Sequence, residues 1–188
     1  TKEIIYKNLA IRHWRLSIVD LTEHSNQPIL DKDKIFVYNG ELYDYREIGR
    51  KFQIHERGDT RTFLSLLDKK NGFKTIQQSS GFFSFLNFNK KENEIFGARD
   101  RFGKKPLFYY LDSEKAIFAS EERGIFPFIK NIKINMKVIG NYLLYKNRFF
   151  GQSCFVGIKE FAPGSSFHFS LDEWQLNIIQ DWVDYYSN

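Results

Sequence analysis

The sequence contains a single cysteine, Cys154, and its four histidines are dispersed along the chain. A lone cysteine excludes an internal disulfide and a cysteine-rich zinc site, and it favours a reducing compartment, so we expect a cytoplasmic protein. The histidines lack the spacing of a metal site, and we predict no bound metal. No base or helix N-terminus is expected beside Cys154, which we interpret as a packed thiol and not a nucleophile.

Long apolar runs and concentrated charge are also missing. No stretch of about 18 apolar residues could span a bilayer, and residues 1–7 lack the apolar core of a signal peptide. Lysine and arginine number 28 against 23 aspartates and glutamates, but no basic run with interleaved aromatic residues occurs. We therefore predict that neither a membrane nor nucleic acid is a partner.

Apolar and aromatic residues are abundant. They make up 42% and 18% of the 188 residues, which is enough to bury the core of one domain. We predict a domain core over residues 1–130, completed by a C-terminal helix and hairpin over residues 131–188. Apolar periodicity predicts strands over 9–19, 35–37, 82–88, 94–99, 107–111, 115–120, 165–171 and 174–180. It predicts helices over 43–52, from 59 or 60 to a stop at 71–72, and over 135–146 with Asn135 as cap.

The stretch 38–43, Tyr-Asn-Gly-Glu-Leu-Tyr, directly follows the apolar run 35–37. Asn-Gly is the pair that most readily takes positive φ, so Asn39 and Gly40 predict a turn at the end of a buried strand. An asparagine amide and a glycine N–H in such a place can point at one spot and stabilise an oxyanion. The residues alone leave both interpretations open, an ordinary turn and an oxyanion-binding pair.

Two charged residues stand where a small ligand could bind. Arg15 lies near the end of a predicted strand, where it could pair with Asp20 or hold a carboxylate through two hydrogen bonds. Asp59 follows Gly58 at a loop-to-helix junction, where it could cap the helix or bind an ammonium group. Both alternatives stay open for each residue.

A charged connection over residues 99–106 joins two of the predicted hairpins. Its glycine and its proline fix the course of the chain. We interpret Arg99 and Asp100 as an internal ion pair that holds this connection, in preference to a direct role in chemistry.

Five segments together resemble, in order and spacing, the class II glutamine amidotransferase domain of asparagine synthetases. They are 15–20 (Arg-Leu-Ser-Ile-Val-Asp), 39–43 (Asn-Gly-Glu-Leu-Tyr), 58–60 (Gly-Asp-Thr), 99–109 (Arg-Asp-Arg-Phe-Gly-Lys-Lys-Pro-Leu-Phe-Tyr) and 118–121 (Phe-Ala-Ser-Glu). Each segment alone is a weak signal, whereas five in register are specific. The resemblance covers nearly the whole chain, because 157–160 and 162–164 are similar to the segment by which the family leaves this domain.

The resemblance implies an α+β N-terminal nucleophile hydrolase fold, a four-layer αββα sandwich of two antiparallel sheets. It also implies hydrolysis of glutamine to glutamate and ammonia by an N-terminal cysteine whose α-amine acts as base. By the same resemblance Arg15 would bind the substrate carboxylate, and the neighbouring Ile18 and Val19 would belong to the glutamine site. Glu41 and Asp59 would bind the α-ammonium group. Asn39 and the Gly40 N–H would form the oxyanion hole.

The sequence departs from the family in its opening segment. It has no N-terminal cysteine and no Arg-His-Arg-Gly-Pro stretch, and Thr1 lies too close to Arg15 to replace them. We therefore expect either a nucleophile upstream of these residues or an inactive glutamine-binding or scaffolding module. Arg61 and Arg123 stand where the family usually has an acid and a lysine, and we regard both as tolerable.

The synthetase half of the family is not represented either, because no Ser-Gly-Gly pyrophosphate loop occurs in the 188 residues. We expect no cofactor in this domain, and ATP and magnesium in a synthetase domain or subunit that would be its partner. The acceptor of the ammonia, with aspartate as the default, and a homodimeric state are further expectations that the sequence leaves open.

Overall fold

The computed structural model describes residues 2–14, 22–146 and 151–180. Its strands are β1 (Lys2–Tyr6), β2 (Leu9–His13), β3 (Ile29–Asp31), β4 (Lys34–Leu42), β5 (Gly81–Asn89), β6 (Glu94–Arg99), β7 (Phe108–Leu111), β8 (Ala116–Ala119), β9 (Lys159–Glu160), β10 (Ser165–Ser170) and β11 (Gln175–Gln180). Its helices are α1 (Tyr45–Phe52), α2 (Asp59–Leu67), α3 (Gly72–Gln78) and α4 (Met136–Tyr145), with short 3-10 turns at Glu23–Ser25, Glu122–Gly124 and Phe126–Phe128.

The strands form one large and two small antiparallel sheets. The large sheet has six strands in the order β11-β10-β6-β5-β4-β3, and a second sheet has the order β8-β7-β9. Within residues 2–14, 22–146 and 151–180, β1 and β2 pair only with each other. The C-terminal hairpin completes the large sheet, because β10 pairs with β6.

Side-chain alternation along β5 explains how the layers stack. Phe83 and Phe85 face a core formed with helices α1, α2 and α3, whereas Leu86 and Phe88 face a second core against the smaller sheet. A third cluster, which includes Phe108 and its neighbours in the 3-10 turns, covers the outer face of the smaller sheet. The sequence Gly-Phe-Phe-Ser-Phe-Leu-Asn-Phe-Asn thus supplies aromatic side chains to both faces of the sheet.

Most predicted elements are confirmed, including the hairpins β5–β6, β7–β8 and β10–β11. The first part of the predicted strand 9–19 is confirmed as β2, which ends at His13. Residues 15–19 lie outside the described residues. The C-terminal helix is confirmed with its cap, because the Asn135 side chain accepts a hydrogen bond from the Val138 N–H at 3.4 Å. Within the described part of the chain no helix is long and apolar enough to cross a membrane.

Helix α3 was not predicted from the sequence. Asn71 and Gly72 were interpreted as a helix stop, but α2 already ends at Leu67 and a new helix begins at Gly72. A Cβ at position 72 would lie 1.7 Å from the Leu66 carbonyl oxygen, so the close approach of the two helices requires glycine there. The Asn-Gly pair therefore marks a junction between two packed helices.

Candidate functional site

Asn39 and Gly40 lie inside strand β4, which runs without interruption from Lys34 to Leu42. The turn predicted at this pair is therefore wrong. Asn39 pairs with Ser84 of β5, Gly40 pairs with Phe83, and Gly40 has no positive φ.

Gly40 is needed for the close approach of two strands. A Cβ there would lie 2.2 Å from the Phe82 carbonyl oxygen and 2.8 Å from the Phe83 Cα. In the non-hydrogen-bonded pairs of an antiparallel ladder the Cα atoms approach to about 4.5 Å, and Gly40 and Phe83 form such a pair. The Phe83 N–H and carbonyl group confirm this pairing, because both are bonded to Asp100 on the opposite side of β5.

The direction of the Gly40 N–H follows from the hydrogen bonds of its neighbours. The Tyr43 N–H donates to the Ser80 carbonyl at 2.8 Å, so the backbone N–H groups of Tyr43 and of every second residue before it point towards β5. The backbone N–H groups of Leu42, Gly40 and Tyr38 point away from β5. The Leu42 N–H accordingly donates to the Asp59 carboxylate at 3.2 Å. Among the residues that the structure describes, the outward Gly40 N–H donates to no protein group, which makes it available to a ligand.

The side chains of Asn39 and Glu41 share the face of β4 that is turned away from helices α1–α3. Phe36, Tyr38 and Leu42, on the opposite face, belong to the core beneath those helices. Asn39 and Glu41 are only partly buried. Within residues 2–14, 22–146 and 151–180, the Asn39 amide forms no hydrogen bond and the Glu41 carboxylate forms no ion pair. Both polar groups therefore remain available to a bound molecule.

Asp59 is the first residue of α2, and the cap position belongs to Gly58, which has a φ of 86°. The capping interpretation of Asp59 is wrong, since no side-chain cap hydrogen bond forms. The residue is 5% exposed, and its Oδ2 accepts hydrogen bonds from the Tyr38 hydroxyl at 3.3 Å and from the Leu42 N–H. The only partner of Oδ1 in the described region is the Thr60 hydroxyl at 3.5 Å. The helix N-terminus stabilises this anion, and Oδ1 retains capacity for a cationic group.

Tyr38 is a site residue whose side-chain role the sequence did not reveal. Burial, followed by the nearby Asp59 carboxylate, raises the pKa of the Tyr38 phenol well above its usual value. The phenol therefore stays protonated and donates its proton to the hydrogen bond with Asp59. Tyr38 thus links strand β4 to the first turn of α2.

Gln27 was also missed, because it lies in a segment that composition indicates to be a polar loop. Its side chain is 5% exposed. Gln27 Nε2 donates to the Tyr38 carbonyl at 2.9 Å, and the Tyr38 N–H donates to Gln27 Oε1 at 2.5 Å. No local sequence signal identifies such a role, which depends on the pairing of β3 with β4.

The structure brings Asn39, Gly40 and Glu41 together on one strand and connects Asp59 to that strand through Leu42. Arg15, Ile18 and Val19 lie outside the described residues, so their part in the site stays a prediction. Two surface grooves of about 280 and 360 Å³ are lined by none of these residues. The residues that the structure describes include no cluster of three or more His, Cys, Asp or Glu that could hold a metal.

Arg99 and Asp100 hold the connection 99–106, as predicted, but not by pairing with each other. Arg99 is buried and forms an ion pair with Glu160 at 2.9 Å. Its guanidinium also donates to the carbonyls of Lys105, Gly103 and Phe161. Asp100 accepts hydrogen bonds from the backbone N–H groups of Phe83, Phe102, Lys104 and Lys105. The sequence did not reveal Glu160 as the partner, because it follows much later in the chain.

Cys154 is a free, partly buried thiol in the segment before β9. Its carbonyl accepts a hydrogen bond from the Asn135 N–H at 2.8 Å. The adjacent Phe155 packs in the cluster on the outer face of the smaller sheet. The cysteine therefore lies on the other side of that sheet from strand β4.

Residues 2–182 match the family model of a glutamine amidotransferase domain. The chain belongs to this family. A putative glutamine-hydrolyzing asparagine synthetase 2 of Methanocaldococcus jannaschii is 37% identical over 178 residues, which cover 77% of this chain and 34% of the relative. Glutamine-hydrolyzing asparagine synthetase 3 of Bacillus subtilis is 32% identical over 182 residues, which cover 90% and 29%. This amidotransferase domain spans about a third of the length of these curated relatives.

Solved amidotransferase structures share its fold. Glutamine phosphoribosylpyrophosphate amidotransferase from B. subtilis, complexed with ADP and GMP, superposes with a TM-score of 0.61 at 16% identity. The match covers 89% of this chain and 34% of that one. The likeness confirms the predicted α+β fold of the N-terminal nucleophile amidotransferases, with its antiparallel sheets.

Proposed function

We propose that this amidotransferase domain binds glutamine and hydrolyses its side-chain amide, supplying ammonia to a synthetase portion of asparagine synthetase type. The observation that carries the proposal is the outward Gly40 N–H, on the same strand as an Asn39 amide and a Glu41 carboxylate that have no partner among the described residues. A primary amide carbonyl needs two donors when its oxygen becomes negative, and an α-ammonium group needs an anion.

In the proposed reaction a thiol attacks the side-chain amide carbon of glutamine, and the carbonyl oxygen takes the negative charge. The Asn39 amide and the Gly40 N–H donate hydrogen bonds to that oxygen. Collapse of the intermediate expels ammonia, which receives the proton that the thiol gave to the base. Water then cleaves the thioester to give glutamate and the free thiol. The thiol and the base are those of an N-terminal cysteine, as in the family, and Cys154 has no part in the reaction.

The charges of the domain match the zwitterionic end of glutamine. Glu41 and the Oδ1 atom of Asp59 would bind the α-ammonium group, and Arg15 would bind the α-carboxylate through two hydrogen bonds. Ile18 and Val19 would line the same site. Asp59 would contact the substrate through one oxygen only, because Oδ2 is already occupied by Tyr38 and Leu42.

Calorimetric titration of the 188-residue chain with glutamine tests the binding step. We expect Glu41→Gln to weaken binding by about tenfold to a hundredfold, because a hydrogen bond to a charged group contributes about 1.5–3 kcal/mol. Glu47→Gln is the matched control, since Glu47 is exposed on α1. Equal glutamine affinity of the Glu41→Gln variant and the unchanged chain would contradict the assignment.

Turnover separates the enzyme from its alternative, an inactive glutamine-binding or scaffolding module. We expect no ammonia release from the 188-residue chain, and release from a chain that carries the gene's own upstream segment if that segment begins Met-Cys-Gly. Further predictions are a synthetase domain or subunit as partner, with ATP and magnesium there and no cofactor here. A homodimeric state, a cytoplasmic location and aspartate as the default acceptor also stay predictions.

A further inference from the structure

The Gln27 side chain occupies the place of a strand residue at the edge of β4. β3 pairs with β4 from Ile29, opposite Phe36, to Asp31, opposite Lys34. Continuing that register by two residues would place Gln27 opposite Tyr38. The main chain of β3 does not extend there, and the Gln27 side-chain amide instead makes the two bonds that a paired peptide would make, at 2.9 and 2.5 Å.

Because a side chain takes the place of the β3 backbone here, the hydrogen bonds between β3 and the edge of β4 end at Tyr38. Had the β3 backbone continued, its next peptide would have paired with Gly40 and taken the outward N–H. Among the described residues, the Gln27 carboxamide bonds to Tyr38 alone. Tyr38 is therefore held by Gln27 and Leu42 is held by Asp59, whereas the Gly40 N–H between them has no acceptor in the part of the chain that the structure describes.

We infer that Gln27 is a positioning residue that holds the edge of β4 so that the Gly40 N–H meets the side-chain carbonyl oxygen of glutamine. The inference rests on the proposed function and extends it to a residue that does not touch the substrate. Gln27 is 5% exposed and Tyr38 is 3% exposed. Because both residues are buried, water cannot replace either of their hydrogen bonds unless the surrounding structure rearranges.

The inference predicts a loss that depends on the ligand's carboxamide. Gln27→Met keeps the length of the side chain and removes both hydrogen bonds to Tyr38. We expect glutamine affinity to fall about tenfold, while the affinity for L-norvaline, which has the same α-groups without the carboxamide, stays the same. Calorimetry with both ligands gives the ratio. Gln175→Met is the control, because Gln175 is exposed on β11, at the far edge of the sheet.

If the ratio of glutamine affinity to norvaline affinity is the same in Gln27→Met as in the unchanged chain, the role of Gln27 is overturned and the proposed function stands. This holds whether both affinities stay the same or both fall by the same factor. A chain with natural Gln27 that binds both ligands alike would overturn the proposed function and this inference with it. Should Gln27→Met fail to fold, Gln27→Glu provides the same ratio test. It keeps an acceptor for the Tyr38 N–H, and in place of the donor to the Tyr38 carbonyl it puts a carboxylate oxygen, which repels that carbonyl.

Discussion

Asp59 and Asp100 are two buried aspartates at the same end of the large sheet, and they differ in how far their oxygens are occupied. Both are at most 5% exposed. Asp100 accepts two backbone N–H bonds on each oxygen, at 3.0 to 3.3 Å. Asp59 accepts two bonds on Oδ2, whereas Oδ1 has one partner at 3.5 Å in the described residues.

The difference separates a structural carboxylate from one that can also bind a ligand. A carboxylate offers about four lone-pair sites, and Asp100 uses all of them to hold the connection 99–106 against β5. Asp59 joins α2 to β4 with one oxygen, and in the proposed function the other oxygen binds a cation. The two aspartates are similarly buried, and the number of hydrogen bonds on their oxygens distinguishes them.

The largest expected effect is that of Asp100→Ala on stability. The change leaves four backbone donors without their acceptor, and an unsatisfied buried donor costs about 1–3 kcal/mol. We expect the free energy of unfolding to fall by about 3 kcal/mol or more in urea titrations. Asp100→Asn, which keeps one oxygen, should lose clearly less. A loss below about 1 kcal/mol for the alanine variant would contradict the structural role of Asp100.

Asp59→Asn should have the smaller stability effect and the larger effect on binding. The amide oxygen can still accept from Tyr38 and Leu42, so we expect a loss of about 1 kcal/mol in the free energy of unfolding. Glutamine affinity should fall about tenfold or more, because the anion that meets the ammonium group is lost. Asp100→Asn serves as control in the same calorimetric titration and should keep its affinity. Equal affinity losses in the two variants would abolish the distinction between the carboxylates.

The sequence predicted the elements whose signals are local. Hairpin β5–β6 follows from strand-like apolar patterning on both sides of the polar turn 89–93, and α4 follows from helical spacing and the Asn135 cap. The family resemblance predicted the fold, which the comparisons confirm. It also named Asn39, Gly40, Glu41 and Asp59, whose roles in binding stay predictions.

Features set by tertiary contact were not predictable. Asn39 and Gly40 have the composition of a turn, but the glycine serves the close pairing of β4 with β5. Asn71 and Gly72 have the composition of a helix stop, yet they join two packed helices. Gln27 lies in a polar loop, and only the register of β3 against β4 places its side chain beside Tyr38.

Tyr38→Phe tests how much the hydrogen bond between the Tyr38 phenol and the Asp59 carboxylate contributes to stability. The variant loses one hydrogen bond to the carboxylate, so we expect about 1 kcal/mol less stability at neutral pH. The pKa of the folded-state phenol is raised, so its contribution is present below the usual pKa near 10 and is lost as pH rises above that value. Urea midpoints measured from pH 9 to 11 should therefore fall less steeply in Tyr38→Phe.

Burial raises the pKa of Tyr109, and a hydrogen bond to Asp112 raises the pKa of Tyr110. These two tyrosines are present in both the unchanged chain and Tyr38→Phe, so their contribution to the pH dependence of the urea midpoint is the same in both. Identical slopes for the unchanged chain and Tyr38→Phe would mean that folding does not raise the pKa of the Tyr38 phenol, which would contradict its burial beside the Asp59 carboxylate.

The smallest effect is expected for a carboxylate whose ion pair lies at the surface. Asp33 pairs with Lys91 at 2.6 Å on the surface, and the pKa of its carboxyl is lowered chiefly by that hydrogen bond. Its stabilising contribution is present above the usual pKa and is lost as pH falls, but water and salt screen such a pair. Asp33→Asn should leave the urea midpoint and the glutamine affinity unchanged within error. A shift as large as that of Asp59→Asn would mean that removing one negative charge anywhere on this basic chain, and not the place of the carboxylate, produces the effect.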